Sequence, residues 1–271
     1  MTKLPYKRYF FHIAYSGQHY RGWQRQKNIR SVQQTLEETT AEILKKSSVT
    51  IIGCGRTDAG VHASQFFFHT DLSESLPARF LELLNRRLPE DIAVYDVLQV
   101  PQQFHARFSA VARSYEYYIS LRKQPFLKNY SAISLGRSFC FESMKKASDL
   151  LPNYQDYGAF CKQPDLHNTT ICKVSATSLH VQPQQQSLRF SITANRFLRG
   201  QIRIIVQKLM DIGSGRFSIA EFENCLISGV RPSLIKPAPA EGLFLSKINY
   251  PDLNLPNRGS FGFSKDSWQE I

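Results

Sequence analysis

A chain of 271 residues with 42% hydrophobic content can bury one large core or two modest ones. Its 34 basic and 22 acidic side chains leave a formal net charge of +12, which predicts attraction to a polyanion, either nucleic acid or an anionic membrane surface. No apolar run approaches the length of a spanning helix, and Met1-Thr2-Lys3-Leu4-Pro5 lacks the apolar region of a signal peptide, so the expectation is a soluble cytoplasmic protein with no membrane partner.

Tyr9–Tyr15 is rich in β-formers and predicts a first strand. Ser16–Gln26 follows as a loop of glycines, aromatics and cations. In it Tyr20 and Trp23 offer faces for base stacking while Arg21 and Arg25, with Lys27 and Arg30 just beyond, suit phosphates. The other reading of this stretch is a surface loop with a packed tryptophan. Ser31-Val32-Gln33-Gln34 is a capping-box pattern, predicting a helix to about Lys45 with Val32, Leu36, Ile43 and Leu44 inward. Val49–Ile52 reads as a strand.

Gly53-Cys54-Gly55-Arg56-Thr57-Asp58-Ala59-Gly60-Val61-His62-Ala63 comes next, and its charge environment is unusual. Asp58 is the one acidic side chain between Glu42 and Asp71. Residues 1–36 hold seven Lys or Arg and no carboxylate, and the windows 97–115 and 166–210 are likewise free of acid. An Asp beside glycine ordinarily closes a tight turn on its own backbone. The acid-free surroundings set this one apart, because nearby cations hold a carboxylate ionised. Glycines on both sides permit turns closed to other residues and let a large ligand approach.

Ser64–Thr70 reads as a strand whose three adjacent phenylalanines require cover on both faces. Ala78–Leu88 has helical spacing and stops at Pro89, and Ile92–Tyr95 is a short strand. Ser114–Ser120 alternates as a strand that puts Tyr115 and Tyr117 on one face. Residues 121–140 read as an irregular crossover, Glu142–Leu151 as a helix, and Asp156–Thr170 has no periodicity. Leu179–Val181 and Leu188–Ala194 predict a hairpin around Gln182–Gln186. In Asn195–Gln207 a strand end runs into a helix, with Ile202, Ile205, Val206 and Leu209 on one stripe, and Arg199 and Arg203 share a face if both are helical. Ser218–Glu221 is a second capping box, starting a helix to about Ile227. Residues 250–271 read as a frayed tail. Strands alternating with helices over about the first ninety residues indicate an α/β or α+β unit. The five cysteines are scattered without the two-residue spacing of a zinc site, predicting buried free thiols and no metal.

Gly55–Ala63 resembles the catalytic signature of the TruA family of tRNA pseudouridine synthases at nine consecutive positions. Other segments resemble the family in the same order. Gly22-Trp23-Gln24-Arg25-Gln26 is one, although Ser16 stands where an Asp is usual upstream of it. His105-Ala106-Arg107-Phe108-Ser109 with Arg113-Ser114-Tyr115-Glu116-Tyr117 is a second. Ala194-Asn195-Arg196-Phe197 with Arg203 is a third, where Gln201, Ile204 and Gln207 depart from the usual residues. Ala238-Pro239-Ala240-Glu241-Gly242-Leu243-Phe244-Leu245 is the last, and it resembles the family's closing strand. Thr169 stands where the family commonly has an arginine.

The resemblance implies two pseudo-duplicated subdomains, 1–104 with the Asp58 loop and 105–249, followed by the tail 250–271. Each would be a mostly antiparallel sheet flanked by helices, with a basic cleft between them. It implies isomerisation of uridine to pseudouridine in the tRNA anticodon stem-loop, at tRNA positions 38, 39 and 40, by a cofactor-free homodimer. Asp58 is then the nucleophile, attacking either C1′ of the sugar or C6 of the base. Arg203 is its ion-pair partner, Tyr115 stacks on the flipped uracil, and Arg56 binds phosphate or fills the vacated space. Tyr20, Arg21, Trp23, Arg25, Lys27, Arg30, Arg107, Arg113, Lys173 and Arg199 form the RNA-binding surface. Two other classes bind RNA equally well. A non-catalytic RNA-binding module of the same fold gives no reason for an isolated Asp among cations, and a metal-dependent nuclease needs clustered acids.

Overall fold

In the computed structural model, residues 6–136, 138–182, 186–232, 235–253 and 268–270 are described. Most of the expected tail and the middle of the Gln182–Gln186 run lie outside them. The described residues within 6–111 and 245–253 form one unit, and those within 112–244 and 268–270 form a second. Among the described residues no helix is long and apolar enough to cross a membrane.

The first unit is built on strand β1 (Lys7–Tyr15). Phe10, Phe11 and Ile13 of β1 are all buried, so both of its faces are covered. Helix α1 (Val32–Ile43) and the two-residue strand β2 (Ile52–Gly53) lead into β3 (His62–Leu72), which pairs antiparallel with one side of β1, and β2 lies on its far edge. Helix α2 (Phe80–Arg87) precedes β4 (Ile92–Val100), antiparallel on the other side of β1. Phe66, Phe67 and Phe68 are fully buried on alternating faces. Phe67 stacks on Phe10 and meets Tyr250 edge-on, while Phe68 stacks on Phe11 at 4.6 Å under Phe80 of α2.

Local chemistry sets the helix ends. Ser31 Oγ accepts from Gln34 N at 3.3 Å, but the Gln34 amide turns to Glu38, so the box predicted there is formed by halves. The strand expected over Val49–Ile52 shrinks to β2, because only its last residue finds a ladder partner on β3. The strand expected at Ile92–Tyr95 continues to Val100 along β1.

The second unit centres on β8 (Ser187–Ala194), which lies antiparallel between β5 (Ala112–Ser120) and β7 (Val174–Gln182). Short β6 (Ala132–Ile133) runs parallel to the end of β5. Helices α3 (Phe141–Leu150), α4 (Gln201–Gly213) and α5 (Ile219–Ser228) belong to the same unit. The stripe Ile202, Ile205, Val206, Leu209 of α4 is buried as its spacing requires. At α5 the capping box is complete, with Ser218 Oγ accepting from Glu221 N at 3.1 Å and the Glu221 carboxylate accepting from Ser218 N at 2.8 Å. The closing strand β9 (Leu243–Asn249) begins later than expected, because Ala240–Gly242 first makes a single tight turn. Leu243 and Phe244 belong to the second unit and Leu245–Asn249 to the first. Strand β10 (Gln269–Glu270) pairs with β7. All five cysteines are free, and four are buried as expected. Cys140 is exposed, because it stands at the N-terminal end of α3, outside the buried stripe.

Candidate active site

The loop between β2 and β3 is clamped from both sides. Trp23 N donates to Thr57 O at 3.2 Å, Gly60 N to Tyr20 O at 3.2 Å, and Val61 N to Asp58 O at 3.1 Å. The segment Tyr20–Trp23 and the segment Thr57–Val61 thus hold each other through backbone bonds alone. Two glycines make the close approach possible. A Cβ on Gly22 would stand 2.4 Å from Thr57 O, and one on Gly17 would stand 2.0 Å from Val61 O. Side chains add to this. Tyr15 OH and Thr57 Oγ1 meet at 2.9 Å in the interior, and Gly17 N donates to the buried His62 Nδ1 at 3.1 Å. On this frame Asp58 is half-buried and Arg56 is exposed.

Residue type alone did not mark Tyr15, Thr57 or His62 as supports of the loop. The available signal was the pair Gly17 and Gly22 bracketing an aromatic turn opposite a second glycine turn.

Tyr20 and Trp23 are interior. The Trp23 ring stacks on Phe66 at 4.0 Å, and Tyr20 OH donates to Asp91 Oδ1 at 2.5 Å with the Arg30 guanidinium 5.0 Å above its ring. Burial and the Asp91 carboxylate both raise the Tyr20 phenol above its ordinary range. The expectation that these two rings stack on bases is corrected here, since Phe66 and Arg30 already occupy their faces and they anchor the turn that clamps Asp58. Arg25 is paired with Glu37 and Glu38 of α1. Arg21 and Lys27 are exposed, as is Arg107, whose guanidinium lies 5.7 Å over the Phe108 ring.

In the second unit, Tyr115 of β5 is half-buried and meets Phe197 edge-on at 5.2 Å. Arg113 Nη1 donates to Asn195 O at 3.0 Å. Asn195 Oδ1 in turn accepts from Lys173 N at 2.8 Å and Arg196 N at 2.9 Å, tying the end of β8 to the start of β7. Arg203, one turn into α4, donates from Nε to Ala238 O at 2.6 Å, and Ala238 N returns to Arg203 O at 2.9 Å. The first bond holds the guanidinium against Ala238, and the second joins the two backbones. Arg199 lies outside α4, because Gly200 caps that helix with φ of +72°. It does not share a helical face with Arg203, and it bonds the Gln163 side chain instead. Arg199 and Lys173 are both exposed. Among the described residues no cluster of three His, Cys, Asp or Glu is placed to hold a metal ion.

A family profile described as tRNA pseudouridine synthase matches residues 12–109 and 154–251 of this chain. The chain is 40% identical over 247 residues to tRNA pseudouridine synthase A of Porphyromonas gingivalis, covering 90% of this chain and 97% of that protein. It is 40% identical over 250 residues to the protein of that name in Bacteroides fragilis, covering 92% and 98%. Against the one in Shouchella clausii it is 35% identical over 244 residues, covering 88% and 91%.

Proposed function

The chain belongs to the tRNA pseudouridine synthase family and isomerises uridine to pseudouridine in tRNA, and on that premise we propose that Asp58 is the covalent nucleophile of the reaction. Pseudouridine formation breaks the bond between uracil N1 and ribose C1′, turns the base, and joins C5 to C1′. C5 loses a proton and N1 gains one, so neither composition nor oxidation state changes. One ionised carboxylate suffices for such a step. It attacks C1′, expels uracil as its anion and leaves again as C5 attacks C1′, or it adds to C6, makes the base electron-rich enough to leave, and departs from C6 once C5 has joined C1′.

The observation that carries this reading is the setting of Asp58. It is the one acid between Glu42 and Asp71, half-buried, on a loop bonded through its backbone to the Tyr20–Trp23 turn. In this proposal Arg203 is the ion-pair partner that orients the carboxylate. Tyr115 stacks on the extruded uracil and receives or passes the C5 proton. Arg56, exposed two residues before Asp58, takes a phosphate or the space the base vacates. Arg21, Lys27, Arg107, Arg113, Lys173 and Arg199 contact the RNA backbone. The proposed targets are uridines of the anticodon stem-loop, the proposed assembly is a homodimer, and the proposed compartment is the cytoplasm.

The test is an Asp58→Asn variant with tRNA carrying tritium at uridine C5. Tritium release at background, with tRNA binding retained, supports the assignment, and full conversion by the variant ends it. Arg203→Ala is expected to bind tRNA and convert it at a small fraction of the wild-type rate.

A further inference from the structure

Gln201 is the first residue of α4 and is fully buried. Its side-chain Oε1 accepts from Leu198 N at 2.7 Å, while its own backbone N donates to Leu198 O at 3.2 Å. Both polar groups of the Leu198 backbone are therefore taken by one residue. The same Oε1 faces the Cys172 thiol at 3.6 Å, and burial pushes that thiol up to about 11, so it remains a donor at neutral pH. Gln201 Nε2, by contrast, is buried without a hydrogen-bond partner among the described residues. A buried amide that leaves one end unsatisfied is a cost, so the position is held for what the carbonyl end does.

That carbonyl closes the back of the turn Asn195–Gly200, whose front is closed by Asn195 Oδ1 on Lys173 N and Arg196 N. Between the two closures sits Phe197, with its ring edge-on to Tyr115 at 84°. Tyr115 stands on β5 and Phe197 forms one wall of its ring, so the setting of this turn bears on which way the ring faces.

We propose that Gln201 is a positioning residue for the isomerisation: its side-chain carbonyl locks the Asn195–Gly200 turn so that Phe197 holds the Tyr115 ring in one orientation against the substrate uracil. This rests on the reading that Tyr115 contacts the base. Gln201 touches neither substrate nor the reacting atoms, and its effect passes through two other side chains. Loss of the carbonyl frees the turn, and with it the ring. Of the proposed RNA-binding cations, Arg199 lies on this turn and Arg113 bonds Asn195 O, while Arg21, Lys27 and Arg107 stand on other segments, so the chemical step slows by more than tRNA affinity falls.

The experiment compares Gln201→Met, which keeps length and apolar bulk but loses the strong acceptor, with Gln201→Glu, which keeps the acceptor, and with Phe197→Leu. Single-turnover conversion and tRNA dissociation constants are measured below the unfolding temperature of each. Gln201→Met and Phe197→Leu are each expected to slow conversion about tenfold, the order of one buried hydrogen bond, with tRNA affinity falling by a smaller factor. Gln201→Glu is expected to be faster than Gln201→Met, and the double variant Gln201→Met with Phe197→Leu is expected to be no slower than the slower single one. A wild-type rate in Gln201→Met or in Phe197→Leu overturns the proposal, as does full additivity in the double variant. Tyr115→Leu separates the two layers. A wild-type rate there removes the role of the tyrosine itself, whereas a slow Tyr115→Leu beside a wild-type Gln201→Met removes only the proposal for Gln201.

Discussion

The backbone of Gly22 lies against the carbonyl of Thr57, so close that a Cβ on Gly22 would stand 2.4 Å from that oxygen. Gly22 also has φ of +95°, a conformation that other residues adopt only with strain. Thr57 immediately precedes Asp58, so the seat of the proposed nucleophile depends on a missing side chain on a different loop.

Gly22→Ala is accordingly expected to push the Asp58 loop out of place. A displacement of about 1 Å at a reacting group costs on the order of a hundredfold in rate. Single-turnover conversion should fall by about that factor with tRNA affinity changed only severalfold. Thermal unfolding should report a loss of about 1–3 kcal/mol from the strained backbone.

Tyr15 OH and Thr57 Oγ1 share a buried hydrogen bond. Tyr15→Phe leaves the threonine hydroxyl short of a partner, at a cost of about 1–3 kcal/mol. Tyr15→Phe combined with Thr57→Val removes both polar ends and is expected to regain part of that loss. Urea unfolding of the three variants against wild type measures the coupling.

Trp23→Ala and Arg21→Ala are expected to fail differently. Trp23 is buried on Phe66, so its removal opens a cavity and costs about 3–5 kcal/mol of stability. Arg21 and Lys27 are exposed cations, and replacing either should leave stability almost unchanged while weakening tRNA binding. The slope of log affinity against log salt should shrink by about one for each cation that contacts a phosphate. Filter binding at three salt concentrations, beside unfolding curves, distinguishes an anchor from a contact.

His69 provides a pH signature. It is buried and accepts from Ala106 N through Nδ1 at 3.2 Å, so its ring proton sits on Nε2. Burial lowers the imidazole to about 4, with Arg8 and His105 adding to the effect. The unfolded chain takes up the proton near 6.5, which the folded chain refuses until about 4. Stability is therefore full above 6.5, declines as the pH falls toward 4, and levels off below, a span of roughly 3 kcal/mol for this group. His69→Asn is expected to flatten the fall in urea midpoint between pH 7.5 and pH 5, and an unchanged fall would assign it to other groups.

Several parts of the fold were legible because the information is local. Phe66-Phe67-Phe68 required cover on both faces of a strand, since alternate side chains point opposite ways. The bonds of the Ser218–Glu221 box close within four residues, and the buried stripe of α4 follows from helical spacing. Gly200 was less transparent. Its positive φ ends the turn and starts the helix, which leaves Arg199 outside a face that spacing alone assigned to it. Trp23 was ambiguous for another reason. An aromatic ring among cations on a glycine loop suits either a base or a core, and the approach of Phe66 from β3 decides between them.

By itself, the sequence determined that Asp58 would lie on a glycine-flanked stretch free of other acids, and that strands and helices would alternate along the chain. Charge, backbone freedom and periodicity are properties of neighbouring residues. The tertiary structure alone decided that Tyr20 and Trp23 are anchors, that Gly22 seats Thr57, and that Gln201 closes the turn walling Tyr115. Burial and close approach depend on segments distant in the chain, and the hydrophobic effect that drives them has no direction of its own for local spacing to reveal.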